Sequence, residues 1–287
     1  MNYSINLHLL SALLKERDPQ SHKNDYGNAL LVAGSRGMMG AALLSARACM
    51  RSGVGLLTAR VPRCGYDIMQ LGIPEAKCET DAQQDRHSYI EVPNATDALA
   101  IGPGLGQHPD TQYAVQQLLE RGLSVPGMPD IALVIDADGL NILSLHPELF
   151  SLLPKDTLLT PHPGEARRIF EATGLSNGCQ LAMRYGITVV LKGHQTNIYV
   201  PNGNCYRNDA WGNAGMAVGG SGDVLTGILL ALRAQGYGAQ DAAILGVALH
   251  AMAADIAIEQ GQQSEESLLP SDIIACLGQA FNKIRQA

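Results

Sequence analysis

Between Gly212 and Gly222 the chain places five glycines in eleven residues, and the next residue is Asp223, directly before the apolar run Val224-Leu225-Thr226-Gly227-Ile228-Leu229-Leu230. Glycines at 212, 215, 219, 220 and 222 let main-chain amides approach a bound group closely. The unpaired N–H groups and dipole at the start of a helix favour a phosphate there. A carboxylate among those donors is expected to stay ionised and to take a proton from a hydroxyl beside the phosphate. The implied chemistry is phosphoryl transfer to an alcohol, or elimination from one. A tight turn with Asp223 as a helix cap is the plainer alternative, and it needs only two or three glycines.

Other polar and glycine-rich motifs recur just after apolar runs. Gly34-Ser-Arg-Gly37-Met-Met-Gly40 has the spacing G-x-x-G-x-x-G, not the G-x-G-x-x-G of a redox dinucleotide site, and it lacks the Lys-Ser/Thr of a Walker loop. It fits a tight strand-to-helix turn as well as a ligand cradle. Gly102-Pro-Gly104-Leu-Gly106 suits a ligand-facing turn. Asp136 and Asp138, with Asn141, could hold a metal-bound water or sugar hydroxyls, or cap the next helix. His162 and Glu165 sit in a proline-stiffened turn. Lys192-Gly193-His194-Gln195-Thr196 opens with a cation that is either a phosphate partner or a solvated strand-end lysine.

The elements that must position these groups alternate. Residues 28–33, 54–61, 98–101, 131–135, 156–160 and 187–191 read as strands. Residues 41–51, 111–121, 166–172, 223 onward, 241–259 and 271–285 read as helices. Residues 197–200 and 205–206 flank Pro201-Asn202-Gly203 as a hairpin. This order predicts an α/β fold, a doubly wound, mostly parallel central sheet flanked by helices, with its ligand crevice outside the carboxyl ends of the strands. Residues 1–287 are expected to form one domain, with 1–26 as an appended helical extension. Residues 80–88 and 260–267 are polar enough to be mobile loops.

Composition narrows the function. The chain is 46% hydrophobic, only 16% charged, and carries a formal charge of −7 without a basic run, so nothing favours nucleic acid. Backbone amides can still hold a phosphorylated ligand. Six cysteines (49, 64, 78, 179, 205 and 276) show no metal or redox spacing and are expected to be small buried residues in a reducing compartment. The N-terminus lacks a secretory pattern, and no stretch is expected to approach the roughly 20 apolar residues of a membrane helix. A cytoplasmic location and no membrane partner follow as expectations.

Together the motifs at 34–42, 101–106, 136–141, 159–165, 191–193 and 212–227 resemble the ADP- or ATP-dependent NAD(P)H-hydrate dehydratases, the carbohydrate-kinase-like family of the ribokinase superfamily. The resemblance runs from about Asn28 to Ala280. It implies a ribokinase-like fold and dehydration of the S-form of hydrated NADH or NADPH: ADP or ATP phosphorylates the ring hydroxyl and phosphate is then eliminated. It implies Asp223 as the base and as a substrate contact, with Ala41, Gly104 and His162 also at the hydrated dinucleotide. Lys192, Gly193, His194, Gln195, Thr196, Gly220, Ser221 and Gly222 would face the nucleotide. Mg2+ would accompany the nucleotide, with Glu165 holding it through water. A homo-oligomer is implied, and a separate NAD(P)H-hydrate epimerase as functional partner, because the extra N-terminal epimerase domain of some relatives is lacking. Ser221 stands where Thr is frequent, with little consequence expected of a loop that acts through its backbone. Two rivals share the same loops: a kinase that phosphorylates a vitamin-like alcohol, and a non-catalytic nucleotide sensor.

Overall fold

The computed structural model describes residues 1–123, 130–260 and 263–287. In chain order its strands are β1 (Asn2–Ser4), β2 (Asn28–Val32), β3 (Leu56–Val61), β4 (Lys77–Thr80), β5 (Ala98–Ile101), β6 (Ala132–Ile135), β7 (Leu158–Leu159), β8 (Thr188–Leu191), β9 (Thr196–Tyr199) and β10 (Cys205–Asn208). Its helices are α1 (Leu7–Leu13), α2 (Met39–Arg51), α3 (Tyr66–Gly72), α4 (Pro109–Arg121), α5 (Ala137–Leu145), α6 (Pro163–Thr173), α7 (Gly178–Tyr185), α8 (Ser221–Ala234), α9 (Ala239–Glu259) and α10 (Pro270–Arg285).

The strands join in one sheet of order β1-β10-β9-β8-β7-β6-β5-β2-β3-β4. Among the described residues only the β8–β9 and β9–β10 pairings are antiparallel, the latter being the expected hairpin. From β2 the chain winds outward through β3 to β4, then crosses to β5 on the other flank of β2 and continues outward to β8. That reversal between β2 and β5 opens a crevice at the carboxyl ends of the strands.

Side chains of a strand alternate between faces, and β2 shows how the layers are made. Ala29 and Leu31 enter the core shared with α2, α8, α9 and α10, while Leu30 and Val32 enter the one under α4, α5, α6 and α7. The crevice therefore rests on a sheet anchored from both sides. α9 is buried on nearly every face, so it has no polar stripe to expose.

Several expectations need correction. Residues 1–26 are helical only in α1 and a short 3-10 turn, because β1 pairs in parallel with β10 and extends the sheet. The strand expected over 156–160 shortens to β7, since Asp156 has φ 65 and turns the chain. Residues 80–88 are internally bonded: buried Asp81 accepts the amides of Gln83, Ser88 and Tyr89, and buried His87 points Nε2 at the carbonyls of Ala33 and Gly34. The loop expected over 260–267 includes 261 and 262, outside the described residues. α9 does reach membrane-spanning length and apolarity, with a mean hydropathy of 1.6, and 83% of that window is inside the protein. All six cysteines are free, but only Cys49 and Cys276 are buried.

Candidate active site

The loop from β10 to α8 ends at Gly220, the N-cap of α8, with φ 94; a Cβ there would lie 2.5 Å from Leu44 Cδ1. Only glycine suits both the left-handed backbone and the space. No side chain caps α8, and among the described residues the amides of Gly219, Gly220, Gly222 and Asp223 make no hydrogen bond. The plainer reading of Asp223 as a cap is thereby excluded. These amides are free donors for an anion.

A cavity of about 600 Å³ opens in front of this helix start, with Lys192, His162 and Thr196 on its polar side and Trp211, Met216 and Val247 on its apolar side. Of the residues expected at the nucleotide, Lys192, Gly193, His194, Thr196, Ser221 and Gly222 line it, and Gln195 and Gly220 do not. Its mixed wall suits a flat heterocycle with a phosphate tail. A larger cavity of about 1050 Å³, between residues 14–26 and α10, holds none of these motifs.

Charge inside the site is organised by Asp136. Ala137 has φ 48, an uncommon value for a residue with a Cβ, and Asp136 makes no side-chain cap to α5. Its carboxylate takes Lys192 Nζ at 2.7 Å and Thr226 Oγ1 at 2.7 Å. Lys192 is thus held beside the anion loop, where a Cβ on Gly222 would lie 3.2 Å from its ammonium. It is not a loose strand-end lysine.

The Asp223 carboxylate makes no hydrogen bond among the described residues. Burial and then the Asp136 carboxylate push its pKa up to about 7, against the pull of Lys192. The expectation that it stays ionised is corrected: near neutral pH it is poised between forms, because desolvation and a like charge outweigh the cation. A base with a pKa near the working pH is the efficient kind.

The main chain of Asp223 faces the other loops. Its carbonyl accepts Ser45 Oγ of α2 at 2.9 Å, and Ala41 lies one turn earlier on the same face. A Cβ on Gly104, φ 60, would meet Ala41 Cβ at 3.0 Å and Met38 O at 2.7 Å. The two glycine loops are stitched across the crevice by Gly34 N to Pro103 O and by Ser35 Oγ to Gly104 O, both 2.8 Å. Asp138 braces the same turn by accepting Gly106 N at 2.9 Å. Ala41 and Gly104 therefore come together on the β2–β5 side. His162 instead sits on the rim of the cavity.

His162 is the N-cap of α6, its Nδ1 accepting Gly164 N at 2.9 Å, while Glu165 Oε2 accepts His162 N at 2.8 Å. Burial, then Lys192, lowers the His162 pKa, and burial raises that of Glu165. Among the described residues no group of three or more His, Cys, Asp and Glu is arranged to hold a metal directly.

Two residues of α9 escaped the sequence reading. Asp255 takes Gly212 N at 2.8 Å and Asn213 Nδ2 at 2.9 Å, pinning the start of the glycine loop. His250 Nε2 lies 3.3 Å from Ser221 Oγ at its end, so Ser221 also acts through its hydroxyl. Burial, then Lys192, takes the His250 pKa down to about 4, leaving the ring neutral. The available signal was two polar side chains interrupting an otherwise apolar helix.

Comparison with known proteins agrees with this geometry. A carbohydrate-kinase family profile described as NAD(P)H-hydrate dehydratase matches residues 29–277. The chain belongs to this family. It is 34% identical to the ADP-dependent (S)-NAD(P)H-hydrate dehydratase of Neisseria meningitidis, over 96% of this chain and 92% of that protein. It is 39% identical to the bifunctional NAD(P)H-hydrate repair enzyme Nnr of Vibrio cholerae, over 97% of this chain and 54% of the other. The chain spans about half the length of several such bifunctional relatives. Among solved structures, the ADP/ATP-dependent NAD(P)H-hydrate dehydratase of Bacillus subtilis, co-crystallised with ATP/Mg2+, superimposes with a TM-score of 0.80 at 30% identity, covering 98% of each chain. A ribokinase-like superfamily protein of Enterococcus faecalis gives 0.83 at 27% identity, over 100% of this chain and 97% of that one. The ribokinase-like architecture expected from sequence is confirmed.

Proposed function

We propose that the chain dehydrates the S-form of hydrated NADH or NADPH to the reduced cofactor, consuming ADP or ATP. One observation carries this reading: a carboxylate poised at about 7 directly follows unpaired amides at the mouth of a cavity. The terminal phosphoryl group lies on the free amides of Gly219, Gly220, Gly222 and Asp223, with Lys192 beside it. Asp223 takes the proton of the ring hydroxyl as its oxygen bonds to phosphorus and the nucleotide's bridging oxygen leaves. Phosphate then departs with the ring oxygen, a proton leaves the neighbouring carbon, and the double bond is restored. Free amides stabilise the charge on the transferred group without reorganising.

Mg2+ fits this donor set as an ion carried on nucleotide phosphates. Both Asp136 oxygens are engaged by Lys192 and Thr226, and Glu165 Oε2 by His162 N, so these carboxylates suit contact through water. When bound, the ion neutralises phosphate charge.

We also propose a homo-oligomer, a cytoplasmic location and an NAD(P)H-hydrate epimerase as functional partner; the first and last rest on family resemblance, and the second on the free cysteines. The test is incubation with hydrated NADH and either ADP or ATP. Recovery of reduced-nicotinamide absorbance supports dehydration. A stable phosphorylated alcohol would instead mark a kinase, and nucleotide binding without turnover a sensor.

A further inference from the structure

We propose that Arg36 and Arg63 form an anchoring site for the phosphates of the hydrated dinucleotide, on the side of Asp223 away from the nucleotide donor; this rests on the reading of that substrate above. α8 packs on β2, β5 and β6, so Asp223 stands over the middle of the sheet. The donor cavity occupies the β8–β10 side. In-line transfer needs the acceptor opposite the donor, and so over the β2–β5 crevice, with the rest of the dinucleotide extending toward β3 and β4.

The rim there is built from the loops that follow β2, β3 and β4. Arg36 N binds Asp85 O, Arg63 N binds Gln83 O, and Cys64 N binds Gln84 O, each at 3.0 Å, so the three loops form one ledge. Of its cations, Arg86 is consumed by Asp85 at 2.8 Å and Asp110 at 2.7 Å. Asp81 is buried and saturated by local donors. Arg36 and Arg63 are exposed and have no acid partner among the described residues. Unpaired guanidinium groups beside a dinucleotide crevice, in a chain of net charge −7, match phosphate oxygens in geometry and sign. The shared chemistry is a phosphate, either the diphosphate of both substrates or the 2′-phosphate of the NADPH form alone.

The experiment compares wild type with Arg36→Gln, Arg63→Gln and the double variant on hydrated NADH and hydrated NADPH at saturating ATP. NADPH binding is followed in parallel by its fluorescence, which needs no turnover. The double variant is expected to raise the hydrate KM about tenfold, weaken NADPH binding by a similar factor, and leave the KM for ATP unaffected. A rise for both hydrates assigns the diphosphate; a rise for the NADPH form alone assigns the 2′-phosphate. Unchanged hydrate KM and NADPH affinity in a variant with wild-type circular dichroism and Tm would overturn the site, as would a loss confined to ATP. Absence of wild-type turnover on either hydrate would refute the functional reading separately, with the NADPH arm still judging the arginines.

Discussion

The two sides of Asp223 are made differently. On the donor side a cavity with apolar and polar walls is closed by a loop that α9 holds at both ends, through Asp255 at Gly212 and His250 at Ser221. On the acceptor side two short glycine loops are stitched to each other by a main-chain bond and by the Ser35 hydroxyl. Donor recognition thus depends on two side chains five residues apart on one buried helix, and acceptor placement on the shape of the joined loops. Substitutions on the two sides should therefore affect different kinetic constants.

The largest expected effect lies at the junction. Asp223→Asn should lower turnover by about two to four orders of magnitude while calorimetry shows nucleotide affinity nearly unchanged. Near-normal turnover would remove Asp223 as the base.

Next come paired glycine substitutions, each adding one methyl group. Gly220→Ala, in a left-handed turn against Leu44, should raise the nucleotide KM; Gly104→Ala, against Met38 O, should raise the hydrate KM. Each shift is expected to be about tenfold to a hundredfold, for a strain of roughly 1–3 kcal/mol. If each variant moved both constants alike, the division of the site would fail. Asp255→Ala should follow with about a tenfold rise in nucleotide KM alone, the usual worth of hydrogen bonds to a charged group.

Acid sensitivity sharpens the junction further. Because the base must be ionised, kcat/KM should rise about tenfold per pH unit below 7 and level off above it. Stability runs the other way. The folded pKa lies above the unfolded value of 3.8, so wild type loses stability as pH rises through 7. Asp223→Asn should be more stable than wild type at pH 8, by about 2–4 kcal/mol, with the gap closing below pH 4, as read by denaturant melts.

Much of this arrangement was legible in the chain. The strands that seat the loops are runs of buried apolar residues, and their ends coincide with the glycine and carboxylate motifs. β1 and β4 were missed because edge strands such as Asn2-Tyr-Ser and Lys77-Cys-Glu-Thr keep polar side chains on exposed faces. The segment at 80–88 looked loose because its polar residues are turned inward to one another, which composition does not register. Asp136 was noticed, but its link to Lys192 and Thr226 spans 56 and 90 residues of sequence, beyond any local pattern.

α9 carries a burden during synthesis. Until it packs, its 21 residues display an apolar surface long enough to cross a bilayer. Asp255, four residues before the end of the helix, opposes insertion, though by less than the roughly 2.5–3.5 kcal/mol of an aspartate at a helix centre. The carboxylate that anchors the glycine loop in the finished protein therefore also helps keep the nascent helix on the path to the core, and replacing Asp255 with leucine would weaken both safeguards at once.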